Sequence, residues 1–365
     1  MMVGRLAICA IFKNEARYLL EWIAWHRVIG FDHIVLYDNG SDDGGADIVR
    51  QSAFADHVTI VDWPERPGQL SAYRHFVQTH ARTWEWVAFI DIDEFLVPLR
   101  DTGIRRMIER LSAFSVILVQ GRVFGPSGWV ERPEGLVLEA YTMRMPDDAH
   151  ANRRVKSIVK TVDLLGVREN PHEFRVKGPA CNTRGELAPN IAIQPTECHV
   201  DLVVNHYQTR SHADWAEKVA RGSATSSIVD DPAYPLELID HFVAQATEHD
   251  TSVQPLLPIV RAALGLHAEA EVPAVADTEE EADGEWFAES DDVWLHTTGM
   301  AMVCRDVSRK GGMAGGPWYA ALRGEAAGLL DPTYLLDEDG RIFDFPSARE
   351  ACSACDVELA ALREA

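Results

Sequence analysis

Two aspartates one residue apart, Asp91 and Asp93, close an apolar run, Trp86-Val87-Ala88-Phe89-Ile90, and Glu94 follows directly. In an extended segment, residues two apart project to the same side. The spacing therefore aims two carboxylates at one hard cation. Mg²⁺ or Mn²⁺ is held in this manner, by one or two carboxylates together with phosphate oxygens of a substrate. An ion so held neutralises charge that builds on a departing diphosphate. Aspartates at this spacing also arise by chance in acidic proteins, so the triplet gains its weight from the apolar strand it ends. Two further polar clusters follow apolar runs in the same way. Lys13-Asn14-Glu15 succeeds residues 6–12, and Asn14 there suits a helix N-cap, a ligand contact, or both. Asp38-Asn39-Gly40-Ser41-Asp42-Asp43-Gly44 has the composition of a plain turn. Asp38 and Asn39, at the end of a strand, are also placed to meet a base or a ribose hydroxyl.

Such clusters act together only if a scaffold brings them to one edge. Residues 6–12 are a continuous apolar run, read as a buried strand. Residues 16–29 carry Leu19, Leu20, Ile23, Ala24 and Val28 at helical spacing, and Gly30 stops them. Strands at 33–37, 58–62 and 86–90 then alternate with helices at 46–51 and 69–83. That alternation predicts an α/β fold built on a Rossmann-like, doubly wound, mainly parallel sheet flanked by helices. Ligands of such sheets bind outside the carboxyl ends of the strands, where residues 13–15, 38–43 and 91–94 all fall. Further along, the pattern suggests helices at 104–112, 213–221 and 236–245. It suggests strands at 115–119, 135–141, 155–162 and 200–207, with a Gly/Pro loop at 121–128. Residues 1–245 thus read as one α/β domain and 246–267 as a trailing helical segment. Residues 268–285, with three glutamates in a row, have linker composition. Residues 286–365 read as a small module of unassigned role, with strand–turn units at 292–303 and 334–345 and a closing helix at 347–365.

Composition narrows the partners. The chain has 365 residues, 47% hydrophobic and 25% charged, which is ordinary for a globular protein. Its net charge of −23 argues against binding nucleic acid, since neutralising phosphates takes an excess of Lys and Arg. It argues equally against an anionic membrane surface. From Leu266 onward there are 22 acidic and 7 basic residues, so this last stretch carries −15 of the total. The nearly balanced remainder is the better home for a diphosphate. No run of eighteen apolar residues exists, which predicts no transmembrane segment. The apolar start passes straight into Lys13-Asn14-Glu15 with no small-residue cleavage site, so a strand and a cytoplasmic location are expected. Six cysteines make no disulfide framework, and Cys352-Ser353-Ala354-Cys355 has no partner pair to complete a zinc site.

Several segments together resemble a known family. They are Ala10-Ile11-Phe12-Lys13-Asn14-Glu15 with Glu21-Trp22, Tyr37-Asp38-Asn39-Gly40-Ser41, and Trp86 through Phe95. Phe124-Gly125-Pro126-Ser127-Gly128, Lys156-Ser157-Ile158-Val159-Lys160, Asn205-His206-Tyr207 and Lys218-Val219-Ala220-Arg221-Gly222 follow in the same order. Over residues 5–225 the chain resembles GT-A glycosyltransferases, in the family 92-like branch related to glycosyltransferase family 2. The resemblance implies an inverting transferase that moves a sugar from a UDP-sugar to a hydroxyl of a glycan or other acceptor, with Mn²⁺ or Mg²⁺. Carried over by position, Phe12, Asn14, Glu15, Asp38 and Asn39 would line the nucleoside pocket, flanked by Gln69 and Tyr73. Asp91, Ile92 and Asp93 would face ribose and metal, with His206 as a further metal ligand. Lys156 and Lys160 would meet the diphosphate if both sit on one strand face. Gly125, Ser127 and Gly128 would form the acceptor loop, and Trp129 either stacks on a sugar or caps the core. Glu173 and Asp214 are the candidates for the base that inversion requires. A nucleotidyltransferase is disfavoured because residues 10–15 contain no glycine. An inert nucleotide-sugar or carbohydrate-binding protein, interacting through its acidic end, is the remaining alternative.

Overall fold

The computed structural model describes residues 5–100, 103–222 and 237–266, with residues 286–290, 293–296, 301–305, 318–323 and 332–334 described as backbone strands. The first apolar run forms strand β1, Leu6–Phe12, buried along its whole length. A strand apolar on both faces needs cover on both, and the following elements supply it. They are helix α1 (Ala16–Val28), strand β2 (His33–Asp38), helix α2 (Gly45–Arg50), strand β3 (Val58–Asp62), helix α3 (Gln69–Thr79) and strand β4 (Trp86–Phe89). This is the expected alternation. β3, β2, β1 and β4 pair in that order, all parallel.

The chain then continues through β5 (Glu94–Pro98), α4 (Arg105–Arg110), β6 (Val116–Val123), α5 (Val137–Ala140), β7 (Met143–Arg144), β8 (Val155–Lys160), β9 (Leu164–Val167), β10 (Phe174–Val176) and β11 (Ala180–Asn182). After these come β12 (Leu202–His206), α6 (His212–Arg221), α7 (Leu238–Gln245), β13 (Glu248–His249) and α8 (Leu257–Ala263). The main sheet has nine strands, in the order β3-β2-β1-β4-β8-β6-β12-β5 with β11 beside β6. β8 and β5 run against the rest, so the sheet is mixed and mainly parallel.

Packing follows the period of two. Ala7, Cys9 and Ile11 of β1 share one core with Val35 and Tyr37 of β2 and with Tyr73 and Phe76 of α3. α1 is tied to β5 by its two tryptophans: Trp22 Nε1 donates to the Glu94 carbonyl and Trp25 Nε1 to that of Leu96, both at 2.7 Å. His26, fully buried, bridges the same pair, bonding Trp22 O at 2.7 Å and receiving Leu96 N at 3.3 Å. These bonds fix where β5 begins, one residue past Asp93.

Three expectations are corrected. The strand predicted at 135–141 is a single helical turn, α5, whose first amides, Val137 N and Leu138 N, donate to the buried Glu21 carboxylate. A short apolar run fits strand or helix alike, and here a carboxylate at the helix start decides. Gly121, taken for the start of a loop, lies inside β6. The short strands β5, β9, β10 and β11 were not anticipated.

The chain divides into two compact units, Met1–His267 and Ala268–Ala365. In the second, β14 (Trp286–Ser290), β15 (Val293–His296), β16 (Ala301–Arg305), β17 (Trp318–Arg323) and β18 (Pro332–Tyr334) pair in sequence order, each antiparallel to the next. The expected linker at 268–285, the helix at 347–365 and Cys352/Cys355 lie outside the described residues. No helix among the described residues is long and apolar enough to cross a membrane.

Candidate active site

The carboxyl ends of β1, β4 and β12 and the start of the reversed β8 meet at a cleft of about 790 Å³. Nine residues expected from the sequence line it: Phe12, Glu15, Asn39, Gln69, Asp91, Ile92, Asp93, Lys156 and His206. The Asp91–Glu94 segment is a turn, not the extended strand its spacing suggested. Glu94 N donates to Asp91 O at 3.1 Å, and the Glu94 carboxylate accepts Asp91 N at 2.9 Å. The turn separates the two aspartates into different partnerships. Asp91 Oδ1 accepts from Gln69 Nε2 at 2.8 Å, and Oδ2 lies 2.5 Å from Lys156 Nζ. Lys156 also reaches Glu94 Oε2 at 2.9 Å. Burial works against its ammonium, but Asp91 and Glu94 outweigh burial and hold it protonated beyond the ordinary lysine range. Glu94 is pushed above the usual carboxylate range by burial, an effect that Lys156 partly offsets.

Asp93 belongs to the second partnership. Its Oδ2 lies 2.5 Å from Lys218 Nζ and 3.5 Å from His206 Nε2. Burial disfavours its charge, yet Lys218 and His206 outweigh burial and keep it well below the usual range. An oxygen and a nitrogen 3.5 Å apart can both reach one ion at about 2.1–2.2 Å. Asp93 and His206 therefore fit a divalent cation as two protein donors, with the remaining positions left to phosphate and water. Asp91 is turned away from this pair, its oxygens facing Gln69 and Lys156. Among the described residues no cluster of three or more His, Cys, Asp or Glu has metal-ligand geometry. The two aspartates expected on one ion are thus held apart by the turn, and Asp93 stands with His206 instead.

Glu15 closes the cleft wall between two arginines, Arg210 Nη1 and Arg221 Nη2, each at 2.8 Å. Arg221 also donates to the carbonyls of Lys13 and Asn14, so α6 is fastened to the end of β1. α6 carries Lys218 and Arg221 three residues apart on its cleft-facing side. Neither was anticipated, although a basic pair at helical spacing inside Lys218-Val219-Ala220-Arg221-Gly222 was there to be read. Lys13, Arg66, Arg154, Glu169, His172, Gln208 and His241 were also missed. They arrive from loops and from α7, whose approach no local pattern encodes.

Other expected residues do not line this cleft. Asn14, in the left-handed region at φ 52°, spends its side chain on Asp42 N, and the first α1 amide is capped by Asp43 instead. Asp38 closes its own turn on Ser41 N. Tyr73 is buried behind Gln69, and Lys160 points away to Ser112 O. Gly125 is packed under α7, where an added Cβ would sit 2.7 Å from Ala246 Cβ. Ser127 Oγ accepts the amides of Thr142 and Met143, and Gly128 turns the chain at φ 83°. Trp129 is 43% exposed with its indole N–H bonded to Ala140 O. Neither proposed base is placed for the work. Glu173 receives Ala192 N and faces Arg168, away from the cleft. Asp214 is the capping-box residue of α6 and is also held by Tyr18 and Arg132 in a neighbouring pocket. Ser211, Tyr18 and the nearby arginines overcome burial and keep Asp214 below the usual carboxylate range.

Similarity to known proteins bears on this cleft. A glycosyltransferase family 92 protein of Oryza sativa subsp. japonica is 35% identical over 180 residues, covering 47% of this chain and 30% of its own. One from Ricinus communis is 28% identical over 226 residues, 60% of this chain and 38% of its own. The chain thus spans about a third of the length of these relatives. Among solved structures, S. aureus TarS residues 1–349 in complex with UDP-GlcNAc gives a TM-score of 0.34 at 13% identity over 72% of each chain, a likeness too slight to argue from. The sequence model of glycosyltransferase family 92 matches residues 5–218, which include Gln69, Lys156, His206 and Lys218, the side chains set against the Asp91–Glu94 turn. The chain belongs to glycosyltransferase family 92.

Proposed function

We propose that this protein transfers a sugar from a UDP-sugar to a hydroxyl of a glycan or other acceptor, with inversion and with Mn²⁺ or Mg²⁺ bound by Asp93 and His206. The reading takes the sheet as a GT-A-type fold. The observation that carries it is the Asp93–His206 donor pair set beside Lys156, Lys218 and Arg221 at the carboxyl edge of the sheet. Phe12, Asn39 and Gln69 form the apolar and amide-bearing end of the cleft, suited to a nucleoside. The diphosphate then lies over the turn, where Lys218 can move from Asp93 to a phosphate oxygen and Arg221 supplies a second cation. The metal, when bound, contributes positive charge to the leaving diphosphate. Fixed cations aimed at charge that develops in the transition state are a large source of rate. Single displacement is supported by the cleft acids. Glu15, Asp91, Asp93 and Glu94 are each paired with a lysine or arginine, and none is free to serve as the nucleophile that retention needs. The free thiols of Cys9, Cys181 and Cys198 agree with a reducing, cytoplasmic setting.

The test is calorimetric UDP binding with and without Mn²⁺, alongside UDP release from a panel of UDP-sugars. The expected result is Mn²⁺-linked binding and preferential release from one or two donors. Asp93→Ala should abolish the Mn²⁺ dependence while the chain stays folded. Metal-linked binding with no release from any donor would instead identify an inert nucleotide-sugar binder.

A further inference from the structure

One histidine in the cleft has its proton placed by the backbone. His172 lies in the loop between β9 and β10, closed by Arg168 N to Glu173 O and by Glu173 N to Asn170 O, each at 3.0 Å. Its own amide donates to Asn170 Oδ1, and its carbonyl receives Ser157 Oγ from β8 at 2.9 Å. The ring is thereby pinned against the start of β8, next to Lys156. His172 Nδ1 stands 2.8 Å from Val155 O. A carbonyl oxygen can only accept, so Nδ1 carries the hydrogen and Nε2 keeps a lone pair. Nε2 has no hydrogen-bond partner among the described residues, and the residue lines the cleft.

Among the described residues, no other cleft group combines these features. The carboxylates of Glu15, Asp91, Asp93 and Glu94 are committed to cations, and exposed Glu169 pairs with Arg74. His206 belongs to the Asp93 partnership, and His241 on α7 has no hydrogen bond that sets its tautomer. The charged neighbours of His172 are Lys156 and Arg154, at and before the start of β8, and Asp91 in the turn. Burial first, and then Lys156, push its imidazolium down to about 3, which leaves the ring neutral.

We infer that His172 is the general base that takes the proton from the acceptor hydroxyl, an inference that rests on the transfer reading given above. The acceptor O–H proton passes to Nε2 while its oxygen lone pair bonds to the anomeric carbon. The bond from that carbon to the β-phosphate oxygen breaks, and its electron pair leaves with UDP. The imidazolium, strongly acidic in this site, then returns its proton to solvent. This role needs a fixed tautomer, a free lone pair and a place beside the diphosphate cations, and His172 meets all three.

The test uses the full chain with Mn²⁺ and the UDP-sugar it prefers, with water as acceptor and UDP release as the readout. His172→Gly should bind UDP within about twofold of the wild type and lose roughly 10² in release rate, the low end of the usual range for a general base, because an imidazolium held near 3 makes a weak base. Added imidazole should restore part of that rate. His172→Asn, whose amide can still donate to Val155 O, should lose as much. Release at the wild-type rate by either variant overturns the inference. So does a loss in His172→Gly that imidazole does not relieve while UDP still binds, because that marks a structural role. A wild-type chain that fails to bind UDP, or binds it and releases none from any donor, sinks the transfer reading and the base with it.

Discussion

At the scale of single residues, Asp93 and Lys218 define the site. An ammonium 2.5 Å from the Asp93 carboxylate, also donating to Gln208 O, stands where a divalent ion would neutralise the same charge. Metal binding must displace it. Breaking a partly buried pair costs the incoming ion part of its own gain. Lys218→Met should therefore tighten Mn²⁺ binding in the absence of nucleotide by about tenfold, equivalent to about 1.4 kcal/mol. The same change should weaken UDP binding, since the lysine would otherwise follow the diphosphate. Manganese titration by electron paramagnetic resonance reads the first effect directly. Unchanged or weaker Mn²⁺ affinity would show that Lys218 does not compete for the site. The sequence made Asp91 and Asp93 legible as a pair but not their separation. The buried Glu94 carboxylate that folds the turn back on Asp91 N is a tertiary decision, made where α1 locks β5 through Trp22 and Trp25.

At the scale of elements, long apolar strands were legible because burial on both faces leaves an unbroken run, as in β1 and β4. Strands of three or four residues, such as β9, β10 and β11, carry too few side chains to set a period. α6 was legible as a helix at 213–221, but the part its first acid plays was not. Ser211 and Asp214 form a capping box, Ser211 Oγ accepting Asp214 N while the Asp214 carboxylate accepts Ser211 N. That spacing announces a helix start, which outweighs the reading of Asp214 as a base. Gly125, expected in an acceptor loop, has a packing reason of its own. The element that approaches it is α7: a Cβ at 125 would meet Ala246 Cβ at 2.7 Å and Phe242 O at 3.1 Å. Gly125→Ala should push α7 off β6 and β7 and cost roughly 1–3 kcal/mol, as overpacking of a filled interior does. Urea unfolding of the variant measures it. A loss below about 0.5 kcal/mol would mean that α7 yields without strain. Because α7 also carries His241 and Phe242 to the cleft, UDP affinity should fall together with stability.

At the scale of the whole molecule, charge is divided unevenly along the chain. The acid excess of −23 is largely a matter of the last hundred residues, and the first unit, nearer to balance, holds buried titratable groups of its own. Two histidines there are kept neutral: His26, fully buried, pushed down to about 3 and held between Trp22 O and Leu96 N, and the half-buried His172, also near 3. The unfolded chain protonates both near 6.5, so between that pH and about 3 it binds more protons than the folded one. Their contribution to stability is full above about 6.5 and is lost as pH falls toward 3. Glu21, raised to about 7 by burial, acts in the opposite sense, its share being full below about 4.5 and lost as pH rises through 7. The two senses partly cancel, and the total slope is therefore a poor probe of any one group. A difference of differences isolates His26. From pH 7 to pH 5 a histidine with this shift loses about 2 kcal/mol. His26→Phe, whose ring can keep the stack on Phe95, removes that titration whatever fixed cost it adds by leaving Leu96 N unbonded. Urea unfolding at the two pH values should show the variant losing about 2 kcal/mol less than the wild type on acidification. Equal losses would mean that His26 already carries its proton in the folded state. The bridge between α1 and β5, and with it the start of β5 behind the Asp91–Glu94 turn, would then have to be drawn with a charged ring.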